Sequence, residues 1–576
     1  MTLPFERING QSLSEEQTRY LTGYFAGLAA RGLKFADVET APQPEAKAVT
    51  LEDLIFEERV KRELHPLDAY PQLLENAAHN TAPEKDDLFR FKWNGLFFLS
   101  PVKDAFMARL RIPGGVLQSF QWREIARISQ ELTSGYVQVT TRANLQIRLI
   151  QPKDAPEVLR RIQSVGLHTR GAGADNIRNI TANPTAGIDT RELINVMPYC
   201  QELAQIIIND RSFYDLPRKF NIAYDGGGLI GTVEDTNDIG AKAVKIGNDV
   251  FFRIALGGAT GHKAFARDLG VLVRPDELNK VIVAAVRVFI ANGNRTDRKK
   301  ARLKHLLDHW SLDRYLAETE KELGYSLQRT EVELSPKIEA PQNPAHTQPT
   351  HIGVYPQKQP GLNYIGVAMP VGQITPKQMI RVAEIADLYG SGEIRLTVWQ
   401  NFIIPNVPDA YVATAKKALK KIGFETQQSQ LRAGLIACTG NAYCKYAQTN
   451  TKGHAIELAT YLEKKFNLDQ PINIHLTGCP HSCAQHYMGD IGLLGTKVKY
   501  GGESAEGYHV FVGGGFGERQ AIGRQVFTGV SFGDLPLTLE KMLRGYLRHR
   551  EPGERFQAFT LRHDLNRLQA IFSNEE

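Results

Sequence analysis

Apolar and polar positions alternate along this chain in ways that predict several separate units. Near the N-terminus, Leu13 to Val38 (LSEEQTRYLTGYFAGLAARGLKFADV) reads as an amphipathic helix followed by a turn at Gly32. Ser14 and Gln17 are spaced to form a capping box at its start. An Ala/Pro/Glu linker from Thr40 to Lys47 follows. A second linker is expected from Pro336 to Pro360, where six prolines fall in twenty-five residues, too many for the interior of an element. Two windows share one pattern of loop, amphipathic helix and strand pair: IPGGVLQSFQWREIARISQELTSGYVQVTTRANLQIRLI and MPVGQITPKQMIRVAEIADLYGSGEIRLTVWQNFIIPNV.

Those windows align without a gap. An offset of 257 places Pro113 on Pro370, Gly115 on Gly372, Ser134-Gly135 on Ser391-Gly392, Thr140 on Thr397 and Asn144 on Asn401. Duplication explains an ungapped run of this kind better than chance matching of two helix–turn–strand units. A long mixed segment follows each copy, so the order is repeat, domain, repeat, domain. The divisions expected are 1–50, an N-terminal helical extension and linker; 51–165, the first repeat; 166–335, a mixed domain; 336–429, linker and second repeat; and 430–576, a second mixed domain.

Composition narrows the function classes. The chain has 576 residues, 42% hydrophobic and 23% charged, which at about 150 residues per domain gives two to four ordinary globular domains. No run of about eighteen apolar residues exists, so no membrane span is expected. The first residues carry Glu6, Glu15 and Glu16 and no apolar core, so no secretory signal is expected either. A net charge of +6 is too mild to argue for nucleic acid, and no Lys/Arg run is interleaved with aromatics. It is compatible with an acidic partner or anionic ligands.

Four of the five cysteines crowd between 438 and 483. Five in so long a chain make no disulfide scaffold, and a local cluster points to a metal. The order is Cys438-TGNAY-Cys444, thirty-four residues, then Cys479-PHS-Cys483. Two close thiolate pairs on turns suit a four-coordinate soft site, and Gly440, Gly478 and Pro480 suit tight backbone around inorganic sulfide. Structural zinc is the other reading. Zinc prefers two to four residues between paired cysteines, which the first pair exceeds, although His475, His481 and His486 lie near. Cys200, in VMPYCQEL, reads as an inert buried thiol.

The spacing C-x5-C with a distant C-x3-C, and TGCPHSC running into AQHYMGDIGLLG, closely resembles the signature of the sirohaem-dependent nitrite and sulfite reductases. So do ARLRIPGGV, VTTRANLQIR, DNIRN, LPRKFN, HIGVYPQKQPGLNYIGVAMPVG, GSGEIRLTVWQNFIIPNV and ACTGNAYC. The resemblance implies an α+β fold in which duplicated ferredoxin-like half-domains form a central pseudo-twofold domain. Two further mixed α/β domains would surround a sirohaem and a [4Fe–4S] cluster. It further implies that Cys438, Cys444, Cys479 and Cys483 hold the cluster, with Cys483 bridging it to the sirohaem iron. The residues before about 50 lie outside the resemblance.

An anionic macrocycle and a small anion both require cations, preferably guanidinium forks. By resemblance, Arg111, Arg178, Lys219 and Asn221 surround the substrate. Arg142, Gln146 and Arg148 match the segment that binds the sirohaem carboxylates, and Arg302, within the basic run NRTDRKKAR, is carried over to the same group. The loop GGGFG at 513–517 lacks the third glycine of a dinucleotide fingerprint, since position 518 is Glu, and reads as a strand–turn. Electrons are therefore expected from a separate carrier, by resemblance a ferredoxin. The expected protein is a cytoplasmic monomer of the nitrite-reducing branch, making ammonia in nitrogen assimilation. A lysine two positions after the LPRK lysine tends to mark sulfite-reducing relatives, and here that position is Asn221. The alternatives are a ferredoxin-dependent sulfite reductase and a non-catalytic zinc-stabilised binding protein.

Overall fold

The computed structural model describes residues 7–8, 11–15, 17–19, 21–22, 50–98, 104–133, 135–330, 351–427 and 431–573. They fall into one compact unit over Met1–Arg59 and another over Val60–Glu576. In the first, Arg7–Ile8 pairs antiparallel with Gln11–Ser12. The expected capping box is present: the Ser14 N–H donates to Gln17 Oε1 at 3.0 Å and the Gln17 N–H donates to Ser14 Oγ at 3.2 Å. The rest of that predicted helix beyond Thr22, and the linker from Thr40 to Lys47, lie outside the described residues.

In the second unit the internal repeat persists to single residues. Helices Ser119–Leu132 and Pro376–Tyr389 stand 257 positions apart at both ends, as do Ala155–Ser164 and Val412–Lys421. Each repeat builds a five-stranded sheet and takes its fifth strand from the other. Val116–Gln118 of the first repeat pairs with Glu393–Leu396, while Gln373–Ile374 of the second pairs with Val137–Val139. The registers correspond: Leu117 lies opposite Ile394, and Ile374 opposite Val137. Even the bulges repeat, with Leu149 at φ 61° and Asn406 at φ 60°.

This exchange requires glycine at two places. Gly115 and Gly372 have φ of +77° and +69°, and a Cβ on either would stand 2.7 Å from the Leu396 carbonyl oxygen or 2.6 Å from that of Val139. One apolar core therefore runs through both repeats, with Trp122 and Phe402 rings 6.3 Å apart inside it. The linker expectation needs correcting at its end. Gly353–Pro356 is a strand, paired with Leu362–Val367 at the sheet edge. Pro356 is tolerated there because an edge strand need not donate on its outer side. Residues 336–350 lie outside the described residues.

Two more sheets carry the site. The six-stranded one runs Gln328–Arg329, Arg267–Val273, Asp249–Leu256, Ile239–Ile246, Ile222–Asp225, Thr181–Ala182. Its last three strands are parallel. Arg178, Asn221 and Asp238 all sit just before them, so one sheet edge gathers three distant segments. The five-stranded one runs Leu435–Ala437, Ile474–Thr477, Ile491–Tyr500, Glu503–Val512, Arg524–Ser531, and its first three strands are parallel. Each of these sheets has its own apolar core.

Candidate functional site

Cys438 follows Leu435–Ala437 directly, and Cys479 stands two residues beyond the parallel neighbour Ile474–Thr477. Both thiols therefore emerge at the carboxyl ends of parallel strands, where open sheets place ligands. The Gly478 N–H donates to Cys438 Sγ at 3.2 Å, and Thr451 Oγ1 lies 3.6 Å from the same sulfur. His481 Nδ1 is 3.5 Å from Cys479 Sγ. Burial, with repulsion from Cys483, Cys444 and Cys438, pushes the Cys479 thiol up to about 12. Burial and Cys438 likewise raise Cys483, against the pull of Lys219 and Arg109. The four thiols thus share one neighbourhood, and none of the five cysteines is disulfide-bonded. Cys200 is buried, with its thiol raised to about 12 by burial, as an inert thiol requires.

Lys219, Arg178, Arg109 and Cys483 form a second neighbourhood that adjoins the first. Lys219 feels Arg302, Cys483 and Arg178; Arg178 feels Arg109; Cys483 feels Lys219 and Arg109. Protein surrounds all four, yet each keeps solvent access, which describes the wall of a deep cleft. Burial, reinforced by Arg302, brings the Lys219 ammonium down to about 7. Its Nζ has no hydrogen-bond or ion-pair partner among the described residues. Arg178 Nη1 and Asn221 Oδ1 are buried and equally unpartnered. Such orphans are expensive unless something completes them.

The other expected cations are placed differently. Arg111 is 1% exposed, and its guanidinium donates to the carbonyls of Arg170, Arg178, Gly171 and Ile177. It holds the loop that carries Arg178 rather than offering free donors to a substrate. Arg109, two residues earlier, donates once among the described residues, to the Ala172 carbonyl at 3.4 Å, and is the arginine that adjoins Cys483 and Arg178; the sequence reading missed it. Arg142 donates to the carbonyls of Asn179 and Ile222 and to Asn237 Oδ1. Arg148 donates to Gln138 Oε1, Gln146 Oε1 and Thr439 Oγ1, and its guanidinium lies 5.3 Å from the Tyr443 ring centre. It therefore reaches the loop between the first two cysteines, with Gln146 as its partner.

Arg302 forks onto Asp238, with Nε–Oδ1 at 3.1 Å and Nη2–Oδ2 at 2.7 Å. It is one of three arginines on a single segment that clamp three others. Arg298 forks onto Asp175, three residues before Arg178, at 2.7 and 2.8 Å. Arg295 reaches Asp215, four residues before Lys219, at 3.1 Å. The basic run is thus a staple behind the cleft.

Comparison with known proteins fits this arrangement. The family model described as the nitrite and sulphite reductase 4Fe-4S domain matches residues 173–327 and 429–576. The one described as the nitrite/sulfite reductase ferredoxin-like half domain matches 100–165 and 355–422. The chain belongs to the nitrite and sulphite reductase family. Among its relatives, the ferredoxin–nitrite reductase of Synechococcus elongatus is 37% identical over 79% of this chain and 88% of its own. The chloroplastic ferredoxin–nitrite reductase of Arabidopsis thaliana is 34% identical over 86% of this chain and 88% of its own. The solved structure of the Mycobacterium tuberculosis NirA protein superimposes with a TM-score of 0.83 at 29% identity, covering 89% of this chain and 97% of that one.

Family membership brings a sirohaem and a [4Fe–4S] cluster, and the residues fit both. Among the described residues no three His, Cys, Asp or Glu side chains converge on a single-ion site. Four thiols in one neighbourhood, the first pair separated by five residues, suit a cluster. The N–H···S bond from Gly478 is of the kind that tunes such clusters. The cleft lined by Arg109, Arg178 and Lys219, with orphaned polar atoms facing no protein partner, suits an anionic macrocycle next to Cys483. Among the described residues of this nitrite and sulphite reductase, no helix is long and apolar enough to cross a membrane.

Proposed function

We propose that the chain is a ferredoxin-dependent nitrite reductase that converts nitrite to ammonium with six electrons and eight protons. The observation that carries this reading is the lone ammonium of Lys219 beside the neutral amide of Asn221, with Arg178 Nη1 unpartnered nearby. A bent monoanion needs few cations, and a second buried ammonium at position 221 would lack a counter-charge. The names of the relatives point the same way.

When bound, the sirohaem and its cluster supply an open iron position and stored electrons. The protein's part is electrostatic and protonic. Arg178 and Arg109 stabilise charge as it gathers on the departing oxygens, with no reorganisation required at that moment. Lys219, at about 7, both carries charge and releases a proton near neutral pH. Asn221 orients the substrate through its side-chain amide. Arg111, Arg295, Arg298 and Arg302 position these groups without touching the substrate.

The electron source is an acidic one-electron carrier of the ferredoxin type, for which the net charge of +6 is complementary. One chain brings both neighbourhoods together, so we assign a monomer. Its unpaired thiols suit the reducing cytoplasm. The test is an electron count with reduced ferredoxin as donor. Six equivalents oxidised per ammonium formed are expected; a product stopping at one or two electrons overturns the proposal.

A further inference from the structure

Lys452 is 7% exposed, and its ammonium donates to the Val371 carbonyl oxygen. No carboxylate pairs with it among the described residues. It lies in the first turn of the helix Thr451–Glu463, and the adjacent Thr451 Oγ1 donates to the Cys438 carbonyl at 2.8 Å. Burial pulls the Lys452 ammonium down to about 7, with Arg148 pushing the same way and Cys438 opposing them. Arg148, at 2% exposure, also has no carboxylate partner among the described residues. Arg148 reaches the cysteine loop at Thr439 and Tyr443, Lys452 adjoins the threonine that holds the Cys438 carbonyl, and neither is paired to an acid, so an anion in that loop is what would hold the buried ammonium charged. The helix N-terminus adds its own partial positive charge in the same place.

We infer that Lys452 is the counter-charge of the [4Fe–4S] cluster and sets how readily the cluster accepts an electron. This rests on the family reading that Cys438, Cys444, Cys479 and Cys483 hold that cluster. Reduction moves one electron from ferredoxin to the cluster and breaks and forms no bond, and the charge the cluster gains favours the protonated form of Lys452. The added negative charge is stabilised by the ammonium, so removing it disfavours the reduced state.

The test is a redox titration of the holoenzyme followed by electron paramagnetic resonance, with iron and acid-labile sulfide measured on every sample. Lys452→Met and Lys452→Gln should both make reduction less favourable by tenfold or more, about 59 mV for a one-electron couple. Lys452→Arg should restore the native potential. A wild type without iron and sulfide refutes the cluster reading itself. A loaded Lys452→Gln with the native potential refutes only the counter-charge role and leaves Lys452 as a tether to Val371. Should both neutral variants lose the cluster, retention by Lys452→Arg upholds the charge requirement, and loss in all three overturns it.

Discussion

Arg302 and Asp238 form a two-pronged ion pair, 7% and 0% exposed, and Asp238 also accepts the Asn221 N–H at 2.8 Å. Arg302, expected to bind cofactor carboxylates, thereby supports the backbone of Asn221, the residue proposed to orient the substrate. Arg302→Met leaves Asp238 buried and unpaired and should cost about 3–5 kcal/mol, seen as a lower thermal midpoint. It should also raise KM for nitrite as Asn221 loses its anchor. A variant that instead sheds sirohaem, with native KM in the molecules that keep it, returns Arg302 to the carboxylate shell.

Lys219→Met should keep the haem colour and lose roughly a hundredfold or more in turnover, the scale of one preorganised charge. The pH profile gives the sign. Burial lowers this lysine to about 7, so the ammonium is present below that value and lost as pH rises through it. Bound anions shift the loss upward. The kcat/KM profile should therefore fall on its alkaline side above pH 7, and Lys219→Met should lack that limb.

Cys483→Ser should abolish six-electron turnover even where some cofactor remains, because Cys483 adjoins both the thiol group and the cationic cleft. Visible spectroscopy and activity on the same sample decide it; full activity with an unchanged spectrum contradicts the role.

The strand exchange makes its own demand. Gly372→Ala combines a left-handed φ with a Cβ 2.6 Å from the Val139 carbonyl oxygen, and should destabilise by about 2 kcal/mol or more. Gly135→Ala, where a Cβ meets nothing within 4 Å, carries only the φ penalty. Paired thermal scans should show the first clearly less stable than the second.

What was legible follows from range. The repeat and the cysteine spacing are local patterns, and both survive into three dimensions with their offsets intact. The reciprocal strand exchange was not legible, since two short strands carry no mark of which sheet they join. Arg109 and Arg111 stand two residues apart, and only the carbonyls of residues 170–178 reveal that Arg111 makes four donations to that loop where Arg109 makes one. The ion pairs of the basic run at 295–302 were not legible because Asp215, Asp175 and Asp238 lie far from it in sequence. The proline-rich stretch hid a strand because Pro356, inside it, falls on a sheet edge.

The most direct measurement compares kcat/KM for nitrite and sulfite, using one chemically reduced one-electron donor, in the wild type and in Asn221→Lys. The wild type should prefer nitrite, and the lysine should move the ratio toward sulfite, whose third oxygen and second charge reward another cation. A wild type that reduces sulfite faster than nitrite contradicts the account.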